Sequence, residues 1–370
     1  MRTAVTEMFG IDIPLFAFSH CRDVVLEASK AGGMGILGAA WMTPEELEVS
    51  LKWIDERIDG KPYGVDIVFP GTFAPLTDDR DPAKILPEGH RQFVDRMMND
   101  AGIPELPDDD AKAFAQEHAD KMKMTPSDSE RSLQISLRHP GVKFIVSAMG
   151  AAPKHVVDLV HAHGLKVGAL VGNVDHAVKQ KEAGVDVLIA QGAEAGGHVG
   201  RVGSMVLWPQ LVDAMAPIPV LAAGGIGRGR QFAAAMALGA AGAWCGSIWL
   251  GTRESDLTPN MKERMFESKS EDAVVSKALT GKNCRILRSN YTEAWDKAED
   301  VKPLTFPLQS ILGGVPLRRA ERVRRFDYWT YAVGQIVGDM QQETTVRQIF
   351  AEMLGEYVEV MENLNKLLED

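Results

Sequence analysis

The sequence has few cysteines, and their spacing argues against two kinds of stabilising site. Among its 370 residues are three cysteines, Cys21, Cys245 and Cys284, which lie far apart and form no CxxC pair. We therefore expect neither a disulfide framework nor a zinc site, and we assign no metal ligands. This composition fits a reducing, cytoplasmic setting. The N-terminus carries acidic residues early and lacks the apolar core of a signal peptide.

Basic residues are also in deficit. The 40 Lys and Arg residues are outnumbered by 51 Asp and Glu residues, which gives a net charge of −11. A broad nucleic-acid surface is therefore disfavoured, and we expect no nucleic-acid partner. One basic run, residues 318–325, stands out against this background. It fits either a solvated helix face that contacts the acidic tail or an anion site for a phosphorylated substrate.

One uncharged stretch, residues 232–251, is long enough to cross a bilayer. It is rich in Ala and Gly, however, and the sequence Leu-Gly-Ala-Ala-Gly at 238–242 interrupts it. We predict a buried helix, a turn and a buried strand in this stretch, and we expect no membrane partner.

Short apolar runs recur along the first 252 residues, and a helical pattern follows most of them. Continuous rather than alternating apolar runs are typical of a parallel sheet that is covered on its outer face. Eight alternating strand and helix units favour a (β/α)8 TIM barrel, an α/β fold, over an open sheet. The predicted strands are residues 13–18, 35–38, 64–69, 142–147, 166–171, 185–190, 219–223 and 243–246.

Two segments depart from this alternation. Residues 71–139, after the third strand, are too long for a loop and contain a helical pattern from Asp108 onward. We predict a helical insertion in the 1–252 barrel, and one hypothesis is that it forms a lid. Residues 253–370 are predicted to be a helical C-terminal region that ends in an amphipathic helix at 346–368. We expect this region to pack on the barrel or against a second subunit. The second arrangement would make the protein a homodimer.

Two glycine-rich segments follow the seventh and eighth predicted strands, at residues 222–229 and 243–247. Loops at these two positions commonly hold a phosphate in barrels of this kind. Glycines let backbone N–H groups approach the phosphate oxygens, and Ser247 adds a hydroxyl donor. The alternative is that the glycines only make tight turns.

A third segment, Gln-Gly-Ala-Glu-Ala-Gly-Gly-His at residues 191–198, follows the sixth strand. Gly196 and Gly197 allow the chain to pass close to a flat ligand, and Gln191 suits the edge of a flavin ring. His198 is a plausible base for a proton on carbon, or a cation that faces an anionic substrate. The other histidines lack such a context, although His20 lies at the end of the first strand.

These three segments together resemble the nitronate monooxygenase family, and residues 251–255 and 284–290 resemble family segments beyond the barrel. The resemblance implies noncovalent FMN and His198 as the catalytic residue facing the flavin. The residues that it implies around the cofactor are Gln191 and Gly196 on FMN, Gly224, Gly225, Gly246 and Ser247 on its phosphate, and Ala17, Phe18 and Ser19 along the isoalloxazine.

The chain departs from the family pattern at two places near the expected flavin, and its insertion at 71–139 is larger than in compact members. Many members have Ala-Pro-Met at the end of the first strand, where this chain has Ala-Phe-Ser. Many have an asparagine after the third strand that contacts the flavin, and Asp66 stands at the matching position. A carboxylate there would disfavour an anionic reduced ring or semiquinone by like-charge repulsion.

The sequence leaves three functions open. The first is a monooxygenase that converts alkyl nitronates or similar small anions with O2 to carbonyl compounds and nitrite. The second is an NAD(P)H-dependent flavin reductase of the enoyl-acyl-carrier-protein or quinone reductase type, in which residues 318–325 would meet an acyl carrier or a 2′-phosphate. The third is a non-redox phosphate-binding barrel.

Overall fold

A computed structural model of the chain describes residues 1–69, 86–122 and 125–368. Its first nine strands in chain order are Leu15–Ser19 (β1), Met34–Gly38 (β2), Tyr63–Ile67 (β3), Val142–Ser147 (β4), Lys166–Val171 (β5), Val187–Gln191 (β6), Gly197–His198 (β7), Val220–Ala223 (β8) and Gly242–Cys245 (β9). All of these except β7 pair in parallel into a closed barrel of eight strands. The predicted (β/α)8 barrel is thus confirmed, and the bounds of β4 and β5 agree with the prediction.

Both faces of the barrel strands are buried, which explains their continuous apolar runs. Side chains such as Phe16, Phe144 and Trp244 fill the interior, where Val5 and Phe9 of the N-terminal helix join them. Side chains such as Leu37 and Ala17 belong instead to the layer between the strands and the outer helices.

Capping residues set the ends of several outer helices as the sequence predicts. Thr43 and Glu46 form a capping box at the start of Pro44–Asp55, and Gly184 ends Val174–Ala183 in a left-handed conformation. The described helices are Ala4–Phe9, Arg22–Lys30, Pro44–Asp55, Glu88–Asp100, Asp108–Met122, Pro126–Ser136, Lys154–Ala162, Val174–Ala183, Ser204–Met215, Gly229–Ala237, Pro259–Phe266, Asn290–Lys297, Leu308–Arg322 and Val346–Lys366.

The last helix, Val346–Lys366, occupies the place of the eighth barrel helix. It packs against both Gly229–Ala237 and Arg22–Lys30, the helices after β8 and β1, and its buried residues join the barrel's outer layer. The chain between β9 and this helix is therefore a second insertion into the barrel. Residues 232–251 contain the predicted helix, turn and strand. In the described part of the chain, no helix is long and apolar enough to cross a membrane.

The insertion after β3 is shorter than the predicted 71–139. The helix Pro126–Ser136 contributes Leu133 to the layer around the strands and packs against β3, which is the position of a barrel helix. The described part of the insertion proper contains Glu88–Asp100 and Asp108–Met122, as the helical pattern predicts. Residues 71–85 and 123–124 of the predicted insertion lie outside the described residues.

The C-terminal region is largely helical, and it also contains a small sheet that the sequence analysis does not predict. Two strands, Ala273–Ser276 (β10) and Cys284–Leu287 (β11), form an antiparallel pair, and β11 also pairs with β7. The sequence does not reveal this small sheet because β7 has only two residues. It ties the loop after β6 to the C-terminal region.

Candidate active site

A cavity of about 580 Å³ lies at the carboxyl ends of the barrel strands. The predicted site residues that line it are Phe18, Ser19, Asp66, Gln191, Gly196, Gly197, His198, Gly224, Gly225, Gly246 and Ser247. Ala17 is the exception, since its side chain packs in the outer layer of the barrel and is not among the lining residues. The barrel therefore brings the three sequence segments together around one space.

Glu194 fixes the loop that carries His198. Its carboxylate accepts hydrogen bonds from the Ser204 backbone N–H at 2.9 Å and from the Ser204 hydroxyl at 2.8 Å. The same Ser204 N–H lies at the start of a barrel helix, where an acidic partner is favourable. Gly196 leaves room for the C-terminal region, because a Cβ there would lie 2.8 Å from the Gly334 backbone N. The loop is thus held from both sides.

His198 is held in place by β7. It pairs with Cys284 of β11, and its Nε2 lies 2.9 Å from Thr280 Oγ1. The ring also meets Phe306 edge to face at 5.8 Å between centroids. Thr280 and Phe306 line the same cavity as the histidine. Both come from the C-terminal region, so that region completes the surroundings of the predicted catalytic residue.

Burial and the nearby Lys282 ammonium lower the pKa of His198 to about 4. Both effects disfavour the charged imidazolium. At neutral pH the ring is therefore uncharged, which favours the role of base or hydrogen-bonding group over that of a cation. The positive charge near this site resides instead on Lys282.

The ends of β8 and β9 present backbone and hydroxyl groups to the cavity. Gly224 and Gly225 adopt positive φ angles of 98° and 75°, which glycine tolerates without strain. Ser247 Oγ accepts the Gly334 N–H at 2.8 Å, which leaves its own hydroxyl hydrogen to donate.

The start of the helix that follows β8 presents fewer groups to the cavity than the sequence suggests. The amides of Gly227 and Arg228 bond to Gln231 Oε1 at 2.8 and 2.9 Å, and Gly229 is packed against the terminal helix. Gly227 and Gly229 are also not among the residues that line the cavity. Any phosphate contact in this segment therefore falls to residues 224–226, which line the cavity.

Asp66 is a buried acid with an unsatisfied oxygen. The residue is 4% exposed, and its Oδ1 has no hydrogen-bond partner among the described residues. Burial raises the pKa of this carboxyl to about 8. Asp66 is then a neutral acid at pH 7 that can donate a hydrogen bond, as an asparagine amide can. The like-charge repulsion expected from the sequence therefore does not apply below about pH 8.

His20 lies on the cavity wall, but both of its ring nitrogens are engaged. The Trp41 indole N–H, which can only donate, lies 3.1 Å from Nε2, and Nδ1 lies 2.8 Å from the Gly38 carbonyl. Nδ1 therefore carries the hydrogen in a neutral ring. Burial also lowers the pKa of His20. Beside it, Phe18 stacks on Trp244 at 5.8 Å between centroids.

Several lining residues were not predicted because they come from the two insertions. Phe114 and His118 extend from Asp108–Met122, and Ser310, Gly314 and Leu317 belong to Leu308–Arg322. The two helices approach closely, since a Cβ on Gly314 would lie 2.3 Å from the His118 ring. The insertion thus forms part of the cavity wall, in the place proposed for a lid. No motif marks these five residues, whereas Arg318 and Glu321, which also line the cavity, belong to the basic run at 318–325.

Comparisons with known proteins find relatives that are described as monooxygenases. The family model described as nitronate monooxygenase matches residues 5–356. The chain is 42% identical over 379 residues to a Mycobacterium tuberculosis protein described as a candidate monooxygenase, with all of both chains covered. It is 29% identical to a Staphylococcus saprophyticus protein assigned as a nitronate monooxygenase, and this match covers 90% of each chain.

Two solved structures share the fold. A nitroalkane oxidase from Streptomyces ansochromogenes superposes with a TM-score of 0.77 at 22% identity, covering 98% of this chain and 100% of that one. FabK from Thermotoga maritima superposes with a TM-score of 0.71 at 24% identity, covering 99% of each. At these identities the two likenesses concern the fold alone.

Proposed function

Because the chain belongs to the nitronate monooxygenase family, whose members are oxidoreductases, we propose that it binds FMN and oxidises alkyl nitronates with O2. The products are a carbonyl compound and nitrite. The observation that carries this proposal is the cavity shared by the neutral His198, the buried Asp66 and the glycine-rich ends of β8 and β9.

The residues present fit an FMN. The unsatisfied Asp66 Oδ1 is a buried polar atom that a flavin ring edge would satisfy. Gly224, Gly225, Gly246 and Ser247 would hold the phosphate, while Gln191, Gly196, Gly197, Phe18 and Ser19 would contact the ring system. When bound, the flavin supplies a two-electron acceptor that O2 reoxidises.

Several of the chain's own groups handle the substrate in this proposal. Neutral His198 accepts the α-proton of a neutral nitroalkane or orients a nitronate that is already an anion. Thr280 holds the ring at Nε2, which leaves Nδ1 for the substrate. The Lys282 charge favours an anionic substrate beside this ring, and Phe306 shields the site from water.

The test is an anaerobic absorbance scan of the purified protein with a nitronate, NADH and NADPH added separately. The proposal expects the flavin spectrum to bleach with the nitronate and nitrite to form when air is admitted. Bleaching by NADH or NADPH instead would favour the flavin reductase. A colourless protein that does not take up FMN would favour the non-redox barrel.

A further inference from the structure

A second crevice lies beside the active-site cavity. Its lining residues are Thr258, Pro259, Asn260, Arg318, Glu321, Arg322, Arg324 and Phe326. Arg318 and Glu321 line the active-site cavity as well, so the two spaces adjoin. Three of the arginines of the basic run therefore line a crevice that adjoins the site, in a protein whose net charge is −11.

The other two arginines of the run have structural roles. Arg319 is 3% exposed and donates to the backbone carbonyls of Ile103 and Pro104 at 2.8 and 3.0 Å. Arg325 donates to the Ala101 carbonyl at 2.7 Å and pairs with Asp327 at 2.8 Å. The basic run is thus divided between residues that anchor the insertion and residues that face the crevice.

The three crevice arginines are only weakly neutralised. Arg318 pairs with Glu321 at 2.8 Å, and Arg322 lies 3.7 Å from Asp110 with both side chains more than half exposed. Exposed ion pairs of this kind contribute little to folding stability, so another anion can replace the carboxylate. Arg324 has no ion-pair or hydrogen-bond partner for its guanidinium among the described residues. The crevice carries more positive than negative charge.

Arg324 also stands where a glycine would fit better. It follows the helix Leu308–Arg322 with φ at 58°, and the next amide, that of Arg325, bonds back to the Ala320 carbonyl at 2.8 Å. Helices that end in this way usually have glycine at the left-handed position, because other residues are strained there. An arginine is therefore present at a cost to the local fold, which is a common property of functional positions.

The cavity that Arg318 and His198 both line is mostly apolar. Its apolar lining residues include Phe114, Met149, Leu279, Phe306 and Leu317. Arg318 itself lies over the Phe114 ring at 5.8 Å from its centroid. A ligand that occupies both spaces would need an apolar portion in the cavity and an anionic group in the crevice.

We propose that Arg318, Arg322 and Arg324 bind the phosphate of a ligand whose apolar chain extends through the cavity toward His198. A phosphate suits several converging guanidinium groups better than a single carboxylate does, since it offers three acceptor oxygens. Placing the reacting end at His198 depends on the proposed function, whereas the phosphate site does not.

The experiment is isothermal titration calorimetry of the flavin-loaded protein with octyl phosphate, hexyl phosphate, octanol and inorganic phosphate. We expect octyl phosphate to bind more tightly than hexyl phosphate, by up to about fourfold per methylene if the chain is fully buried. We expect octanol and inorganic phosphate each to bind at least tenfold more weakly than octyl phosphate.

Variants separate the phosphate contact from folding. Arg324→Gly relieves the left-handed strain, so its melting temperature should equal or exceed that of the parent protein while octyl phosphate affinity falls at least tenfold. Arg322→Gln should weaken octyl phosphate similarly. Arg347→Gln, at an exposed position on the terminal helix, is the matched control and should bind as the parent does.

Equal affinity for octyl phosphate in all these proteins, or no binding by the parent, would overturn the proposal. A sedimentation assay with phosphatidate vesicles distinguishes a dissolved ligand from a lipid surface. We expect the protein to stay in solution. If it sediments with the vesicles, and the Arg322 and Arg324 variants do not, the proposal of a dissolved ligand is wrong. Nitronate turnover enters none of these measurements, so a protein that binds FMN but does not oxidise nitronates would give the same result.

Discussion

His198 Nε2 lies 2.9 Å from Thr280 Oγ1, although the two residues are 82 positions apart in the chain. The Thr280 hydroxyl oxygen also accepts the Lys282 backbone N–H at 3.3 Å. When Nδ1 is the basic nitrogen, Nε2 carries the ring hydrogen and donates it to Thr280 Oγ1, so the Thr280 hydroxyl hydrogen is directed to the Lys282 carbonyl, 3.4 Å away. A barrel loop and an insertion therefore jointly fix the orientation of the imidazole, which leaves Nδ1 as the nitrogen for chemistry.

Thr280 should act as a positioning residue. Thr280→Val removes the partner of Nε2 while keeping the side-chain shape, and loss of one hydrogen bond corresponds to about 1 kcal/mol. We expect kcat/KM for a neutral nitroalkane to fall roughly five- to tenfold, with an altered pH profile and a melting temperature lowered by no more than a few degrees. Thr280→Ser restores the hydroxyl and should recover most of the activity. If Thr280→Ser is as impaired as Thr280→Val, the hydroxyl does not position His198.

His198 should be needed more for neutral nitroalkanes than for nitronates. His198→Asn removes the base, so turnover of a neutral nitroalkane should fall by about 10²- to 10⁴-fold. A preformed nitronate has already lost that proton, so its turnover should fall much less. Steady-state rates with the two forms of one compound provide the measurement. Equal losses for both forms would contradict the role of base.

The pH dependence of kcat/KM should also report whether His198 acts as a base. Because the pKa of His198 is lowered to about 4, the basic form is present above that pH and is lost as the pH falls through it. The acid limb of kcat/KM for a neutral nitroalkane should therefore lie near pH 4 rather than near 6.5, the ordinary value for histidine. A limb near 6.5 that disappears in His198→Asn would show that the ring is more solvated than the structure indicates.

The barrel and the glycine-rich loops at its strand ends could be predicted because their determinants are local. Apolar runs, helix caps and glycines at 224 and 225 act within a few residues of their own positions. Thr280 and Phe306 could not be predicted, since they reach His198 only through the pairing of β7 with β11. Ala17 was placed at the flavin by resemblance, but alternation along β1 turns it to the outer layer.

Asp66 should make the stability of the flavin-free protein depend on pH. Its folded pKa, about 8, lies above the ordinary 3.8, so the favourable contribution is complete below about pH 4 and is lost as the pH rises through 8. At about 1.4 kcal/mol per pKa unit, the loss amounts to roughly 4–6 kcal/mol. Asp66→Asn cannot ionise, so its free energy of unfolding should match the parent's at pH 4 and exceed it at pH 9.

Denaturant unfolding at pH 4, 6 and 9 measures this difference. Asp213→Asn, at an exposed position on a barrel helix, is the control and should change the free energy of unfolding by less than about 0.5 kcal/mol at every pH. A parent protein whose stability relative to Asp66→Asn is the same at pH 4 and 9 would mean that Asp66 ionises normally.

Arg319 should hold the insertion against the C-terminal region and thereby preserve the cavity wall. Its buried guanidinium also donates to Asn99 Oδ1 at 2.9 Å, near the end of the helix Glu88–Asp100. Arg319→Leu leaves this amide and the carbonyls of Ile103 and Pro104 without their donor, and truncating a buried charge network typically costs about 3–5 kcal/mol. We expect a loss of that order in the free energy of unfolding, together with faster proteolysis within the insertion. Arg96→Leu changes an exposed arginine on the helix Glu88–Asp100. It should change the free energy of unfolding by less than about 0.5 kcal/mol and the proteolysis rate by less than about twofold. If Arg319→Leu unfolds and is cleaved like Arg96→Leu, the insertion is held by its apolar contacts alone.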